Sequence, residues 1–130
     1  MQQHKPDVNQ KAKAGRVQMG KGGQQAAADF LRRLGCVVLK ENFRTGIGEI
    51  DLIVQDGAYI AFVEVKTRNS LNYGRPCEAV TQRKQWCIKR TAEQYISIKG
   101  LVNQDFRFDV VEVLNTPQGT EINHIKDAFW

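Results

Sequence analysis

The sequence predicts an α/β fold: a mixed five-stranded sheet flanked by helices, in the order α-β-β-β-α-β-β. Three observations predict it. Two segments repeat apolar residues at helical spacing. Five shorter segments are rich in β-branched and apolar residues and are bounded by turn residues. One helical segment separates the third strand from the fourth, a crossover long enough to make that strand pair parallel.

Taken in order, residues 1–14 are rich in Gln, Lys and Asn, with too few apolar groups to offset ordering entropy. A disordered basic arm is expected there, followed by one folded domain over 15–130. Gly15, Gly20, Gly22 and Gly23 lead into the first helix, where Ala27, Phe30, Leu31 and Leu34 form a stripe and Gly35 is the stop. Gln24, at the inner edge of that stripe, either caps the helix or faces a site. Cys36 to Leu39 opens the first strand, which extends through Asn42 and Phe43. After the Thr45-Gly46 turn, Ile47 to Gln55 forms the second strand. Asp56-Gly57 is a hairpin turn, and Tyr59 to Thr67 forms the third. A loop follows over 69–76, with Asn72, Gly74 and Pro76. The second helix spans Glu78 to Ile98, with Val80, Cys87, Ile88, Thr91, Ala92 and Tyr95 on one face. Lys99-Gly100 closes it, since Gly suits a left-handed cap. Phe106 to Leu114 is the fourth strand, Pro117-Gln118-Gly119 a turn, and Glu121 to Ile125 the last strand.

Composition narrows the function. The 130 residues, 42% apolar, suit one core. No run of eighteen apolar residues exists, so no membrane span is expected, and the polar N-terminus has no secretory h-region. Cys36, Cys77 and Cys87 are odd in number and form no CxxC pair, so no disulfide framework or thiolate zinc site is expected. A cytoplasmic location follows as an expectation. His4 and His124 lie at opposite ends of the chain. The net charge is +5, and it is uneven: residues 1–23 hold five basic residues and one acidic. Residues 66–90 hold Lys66, Arg68, Arg75, Arg83, Lys84, Lys89 and Arg90 against Glu78 alone. Basic zones attract phosphate-rich polymers, although a solvated helix face has the same composition.

The most informative stretch is the hairpin 47–68. Alternation puts Glu49, Asp51 and Ile53 on one face of the second strand, and Phe62, Glu64 and Lys66 on one face of the third. Carboxylates within an otherwise apolar sheet need a counterion. Either Lys66 supplies it, in an ion-paired cluster that sets hairpin register, or a divalent cation does. Magnesium takes one or two carboxylates and completes its shell with water and phosphate, a demand that Asp51 and Glu64 fit. Lys84 falls inside the apolar stripe of the second helix and either snorkels or reaches toward a phosphate. Arg107 and Asp109 are expected to form a structural pair beside the site, and Trp86 and Trp130 to be packing groups.

The sequence resembles the YraN family of nuclease-like proteins. The resemblance is carried by Gly48-Glu49-Ile50-Asp51-Leu52-Ile53, followed by Phe62-Val63-Glu64-Val65-Lys66-Thr67-Arg68. Asn42, Gly74, Lys84, Arg107-Phe108-Asp109-Val110-Val111 and Ile125-Lys126-Asp127-Ala128-Phe129 also match, so the resemblance covers roughly residues 20–129. It implies a restriction-endonuclease-like core resembling Holliday-junction resolvases. It also implies a Mg²⁺- or Mn²⁺-dependent endonuclease acting on DNA, branched DNA included. Asp51 and Glu64 become the metal ligands and Lys66 the catalytic lysine. Relatives usually carry a Glu near the start of the first helix, where this chain has Gln24, an amide that brings no charge; Glu49 is the candidate to compensate, with Lys84 as a further accessory. Arg68, Arg75, Arg83, Lys84, Lys89 and Arg90 become the nucleic-acid contacts, and a two-fold homodimer is implied by analogy. The alternatives are a nucleic-acid-binding module with a degenerate nuclease site, favoured by Gln24, and a protein-interaction adaptor.

Overall fold

A computed structural model describes residues 10–13, 21–69 and 80–130. In chain order the elements are β1 (Gln10–Lys13), α1 (Lys21–Arg33), β2 (Val37–Arg44), β3 (Glu49–Asp56), β4 (Tyr59–Asn69), α2 (Gln82–Lys99), β5 (Asp105–Thr116) and β6 (Gly119–Ile125). The five expected strands lie side by side as β6-β5-β4-β3-β2. The one parallel contact among them is β4 with β5, from Tyr59↔Asp105 to Asn69↔Asn115, the pair joined through α2. Hence the predicted α/β class, mixed sheet and element order all hold.

The expectation of a disordered arm is corrected at one point. Residues 10–13 form β1, which pairs antiparallel with the outer side of β6, from Gln10↔His124 to Lys13↔Glu121. Backbone pairing needs no apolar side chain, so the polar run Gln-Lys-Ala-Lys does not announce it. The rest of the arm lies outside the described residues. So do residues 70–79, which include Arg75, Cys77, Glu78 and most of the loop expected over 69–76.

Alternation along β4 explains the layers. Ala61 and Val63 pack in one apolar cluster with Ala27, Phe30 and Leu31 of α1. Ile60 and Phe62 pack in a second cluster with Ile88, Ala92 and Tyr95 of α2. A sheet apolar on both faces requires a cover on each, and the two helices provide it. Phe62, wholly buried, stacks on Phe108 with centroids 5.6 Å apart, and its truncation to Ala would cost about 3–5 kcal/mol.

The helix ends follow local chemistry. At the end of α1, Gly35 takes φ +96°, and the Gly35 and Cys36 N–H groups donate back to the carbonyls of Arg32 and Leu31. The second helix starts at Gln82: Thr81 is its cap, and the Thr81 Oγ1 accepts from the Lys84 N–H at 3.1 Å. Gly100, at φ 62°, closes it as expected. β2 is an edge strand, largely exposed, with a register shift between Val38 and Lys40 and a left-handed residue, Asn42, at φ 53°.

Candidate active site

The site begins where the β3–β4 ladder stops and the β2–β3 ladder skips a pair. Neither the β2–β3 register nor the β3–β4 register gives Asp51 a partner. The β3–β4 ladder ends at Leu52↔Val63, and one residue further on β3 carries Asp51 and β4 carries Glu64. The Asp51 Oδ2 accepts from the Val65 N–H at 2.8 Å, so a side chain takes the place of a ladder carbonyl. Strict alternation also fails here. Leu52 and Val54 pack on the α1 side, whereas Ile50 packs with Ile53 on the α2 side. Asn42, across from this break on β2, has the left-handed backbone that accompanies it. Thus Ile50 departs from the face that the sequence assigns to it.

Two lysines meet at Glu64, which is only 5% exposed. The Lys84 Nζ lies 3.1 Å and the Lys66 Nζ 3.5 Å from the Glu64 Oε2. Lys66 comes from the same face of β4, two residues on. Lys84 comes from the first turn of α2, directed by the Thr81 cap. Close packing holds that helix to β3: a Cβ on Gly48 would sit 3.2 Å from the Thr91 Oγ1 and 3.3 Å from the Cys87 Cβ. On the opposite face, Gly23 at the start of α1 lies directly against Thr67 of β4. The two helix N-termini therefore converge on the same end of the sheet.

Electrostatics record the crowding. Burial pushes the Asp51 carboxyl up to about 6, and the neighbouring Glu64 charge adds to the rise. The Val65 N–H and Lys84 oppose it. For Lys84, burial pulls its ammonium down, but Glu64 outweighs it by charge and hydrogen bond, with help from Asp51 and Glu49, and the net shift is upward. Asp51 and Glu64 each use one oxygen in these contacts. Asp51 Oδ1 and Glu64 Oε1 have no partner among the described residues. No group of three or more His, Cys, Asp or Glu side chains gathers among those residues. Two carboxylates with a free oxygen apiece still match the donor set that a magnesium or manganese ion takes from protein, the rest being water and phosphate.

The accessory residues divide. Gln24 makes no hydrogen bond to Asp51 or Glu64. Its amide is locked face to face with Asn42 through two hydrogen bonds of 3.1 Å, each amide donating once. Glu49 binds the Arg44 Nε at 3.0 Å and reaches Asp51 only through its field. Of the basic residues, Arg68 pairs with Glu112 at 2.9 Å. Arg90 pairs with Glu93 at 2.6 Å and lies over Trp86. Arg83 and Lys89 have no carboxylate partner among the described residues. Trp86 and Trp130 are both exposed rather than packed.

Arg107 and Asp109 do form a structural pair, but on the α1 face, whereas Glu64 lies on the α2 face. Arg107 forks onto Asp109 and reaches Asp56 at 2.9 Å. The His124 Nε2 contacts Asp109 at 2.9 Å, and Phe30 of α1 stacks edge-on against His124. Burial alone would raise the pKa of Asp109, but His124 and Arg107 overcome it and hold the carboxyl below its usual range. His124 and Asp56 were invisible as partners in the sequence, because strands far apart in the chain bring them together.

The fold and site thus define an α/β protein whose central hairpin presents an acidic pair with two lysines. Residues 23–113 match the family described as "Uncharacterised protein family UPF0102". A UPF0102 protein from Alkaliphilus metalliredigens is 47% identical over 111 residues, covering 85% of this chain and 96% of the relative. Another, from Clostridium acetobutylicum, is 46% identical over 85% of this chain and 84% of the relative. A third, from Caldicellulosiruptor saccharolyticus, is 44% identical over 86% and 97%. The chain belongs to the UPF0102 family, the one to which the YraN resemblance points.

Proposed function

We propose that this chain is a Mg²⁺- or Mn²⁺-dependent endonuclease that hydrolyses phosphodiester bonds in DNA, branched DNA included. One observation carries the reading: Asp51, Glu64, Lys66 and Lys84, from two strands and a helix, share one half-buried cluster at the end of the β3–β4 ladder. Asp51 and Glu64 hold the dication. When bound, it supplies charge stabilisation at phosphorus and a water of lowered pKa. Lys66 orients the attacking water or meets the charge that develops on the phosphate oxygens. Lys84 pairs with Glu64 at 3.1 Å and holds it in place. Arg83 and Lys89 track the DNA backbone, since phosphate contacts position without reading sequence. A two-fold dimer matches a two-fold junction, and a cytoplasmic setting suits both substrate and thiols. No helix among the described residues is long and apolar enough to cross a membrane.

The test incubates the protein with branched and linear DNA plus Mg²⁺ or Mn²⁺, beside Asp51→Ala. Metal-dependent cutting that Asp51→Ala lacks supports the reading, and equal trace cutting in both counts against it. The engagement of Gln24 with Asn42 favours a second reading, a nucleic-acid-binding module with a degenerate site. Salt-sensitive binding without cutting, with cleavage restored by Gln24→Glu, is its signature.

A further inference from the structure

A second cationic surface lies beside the carboxylate cluster, and no described residue of the basic run at 66–90 lines it. It is a groove of about 440 Å³ between the edge strand β2 and the C-terminal half of α2. Lys40, Arg44 and Lys99 form its rim, and Phe43, Tyr95 and Ile98 are among the residues that floor it. No carboxylate among the described residues lines it. Glu49 engages only the Arg44 Nε, which leaves both terminal guanidinium nitrogens without a partner among the described residues. Tyr95 is largely buried, but its hydroxyl makes no hydrogen bond among those residues and is open to solvent at the groove. Lys99 stands over the Tyr95 ring, its Nζ 6.0 Å from the centroid. The N–H groups of Gly100 and Leu101 cap the carbonyls of Ser97 and Ile96, so the helix end presents fewer bare oxygens to an anion.

From this juxtaposition we infer that the β2–α2 groove binds the backbone of a nucleic-acid strand. Phosphates sit at the Lys40–Arg44–Lys99 rim, the Tyr95 hydroxyl donates to one of them, and a sugar or base covers the apolar floor. A positive groove with an aromatic floor suits a single strand, because it holds charge and a flat or apolar face at once. Arg44 links this surface to the proposed catalytic cluster, since it lines the groove and binds Glu49, two residues from Asp51. The inference rests on the proposed nucleic-acid substrate and adds where the strand lies beyond the cut.

The experiment measures binding of a fluorescent single-stranded oligonucleotide over a range of salt, in chelator, so that no cleavage intervenes. Wild type is compared with Lys40→Ala/Lys99→Ala, with Tyr95→Phe, and with Arg33→Ala on the exposed face of α1. The double variant should weaken binding at least tenfold and flatten the log–log salt slope by about 1.4, the share of two phosphate contacts on a single strand. Tyr95→Phe should weaken binding without changing the slope, and Arg33→Ala should leave both unchanged. Lys40→Gln/Lys99→Gln replaces the alanine pair if that pair melts early. Wild-type binding with an unaltered slope in the lysine variants overturns this inference alone. Absence of wild-type binding at low salt overturns the nucleic-acid reading with it.

Discussion

Lys84 approaches the Glu64 carboxylate more closely than Lys66 does, at 3.1 Å against 3.5 Å. The helix lysine, not the strand lysine, is the nearer counterion, which leaves Lys66 the less tightly paired of the two for the role proposed for it. Lys66→Ala should therefore lower the cleavage rate about 10²-fold or more at saturating DNA, the usual loss when one preorganised donor is removed. Lys84→Ala should lower it less and should also weaken the metal dependence, visible as a higher Mg²⁺ or Mn²⁺ concentration at half-maximal rate. Equal losses with unchanged metal dependence would show that the two lysines are not so divided.

Asp51 yields a pH dependence that needs no activity. Its folded-state pKa of about 6 lies above the ordinary value, so below the ordinary value the group is protonated in both states and costs nothing. As pH rises through the window up to about 6, the folded state holds its proton longer than the unfolded state does, and stability falls. The loss is about 3 kcal/mol at most, complete above pH ~7. Asp51→Asn, which still accepts from the Val65 N–H, should recover most of that at pH 8 and none at pH 4. Denaturant melts at the two pH values measure it. Millimolar Mg²⁺ or Mn²⁺ should raise the midpoint at pH 8 in the wild type and not in the variant.

On the opposite face, Asp109 is wholly buried among Arg107, His124 and the Asp127 N–H. Asp109→Ala leaves the Arg107 guanidinium buried without its main partner and should cost about 3–5 kcal/mol. Because its carboxyl is held below the ordinary value, the stability it contributes is present above that value and is lost as pH falls through the lower folded pKa. The wild type should therefore show an acid-labile phase below about pH 4 that the variant lacks. A melting midpoint in Asp109→Ala within a degree of wild type would overturn this account.

Gly23 touches Thr67 so closely that no Cβ fits between them. Gly23→Ala should destabilise by about 1–3 kcal/mol, the usual cost of overpacking. Thr67→Ala in the same chain should return much of it, because the Thr67 Oγ1 is the atom in the way. Purely additive losses in the double variant would show that the two residues do not meet.

The fold was legible because its signals are periodic. The stripe Ile88, Thr91, Ala92 and Tyr95 marks the buried face of α2, and alternation through Ile60 to Val63 marks a strand covered on both sides. The acidic pair and its lysine were legible because charges in an apolar run demand partners. What lay hidden depends on backbone or on distant contacts. The Val65 N–H that holds Asp51 belongs to every residue type, and the break that turns Ile50 lies opposite Asn42 on another strand. The start of α2 at Gln82 rather than at the expected Glu78 turned on one hydroxyl, that of Thr81. Lys84 was visible as an oddity in an apolar stripe, but only the crossing of α2 over β4 shows that it reaches Glu64. Gln24 stood out by chemistry alone, and its engagement with Asn42 could not be read from either residue.

The crooked margin of β2 carries one last consequence. Val37 and Leu39 stand exposed there, and a straight ribbon with such side chains would invite another chain to zip onto it. The shifted register at Val38–Lys40 and the left-handed turn of Asn42 throw its amides out of step, so an incoming strand meets mismatched donors. The irregularity opposite Asp51 thereby also blunts this edge, and straightening it with Asn42→Val would leave a sticky rim prone to fibres.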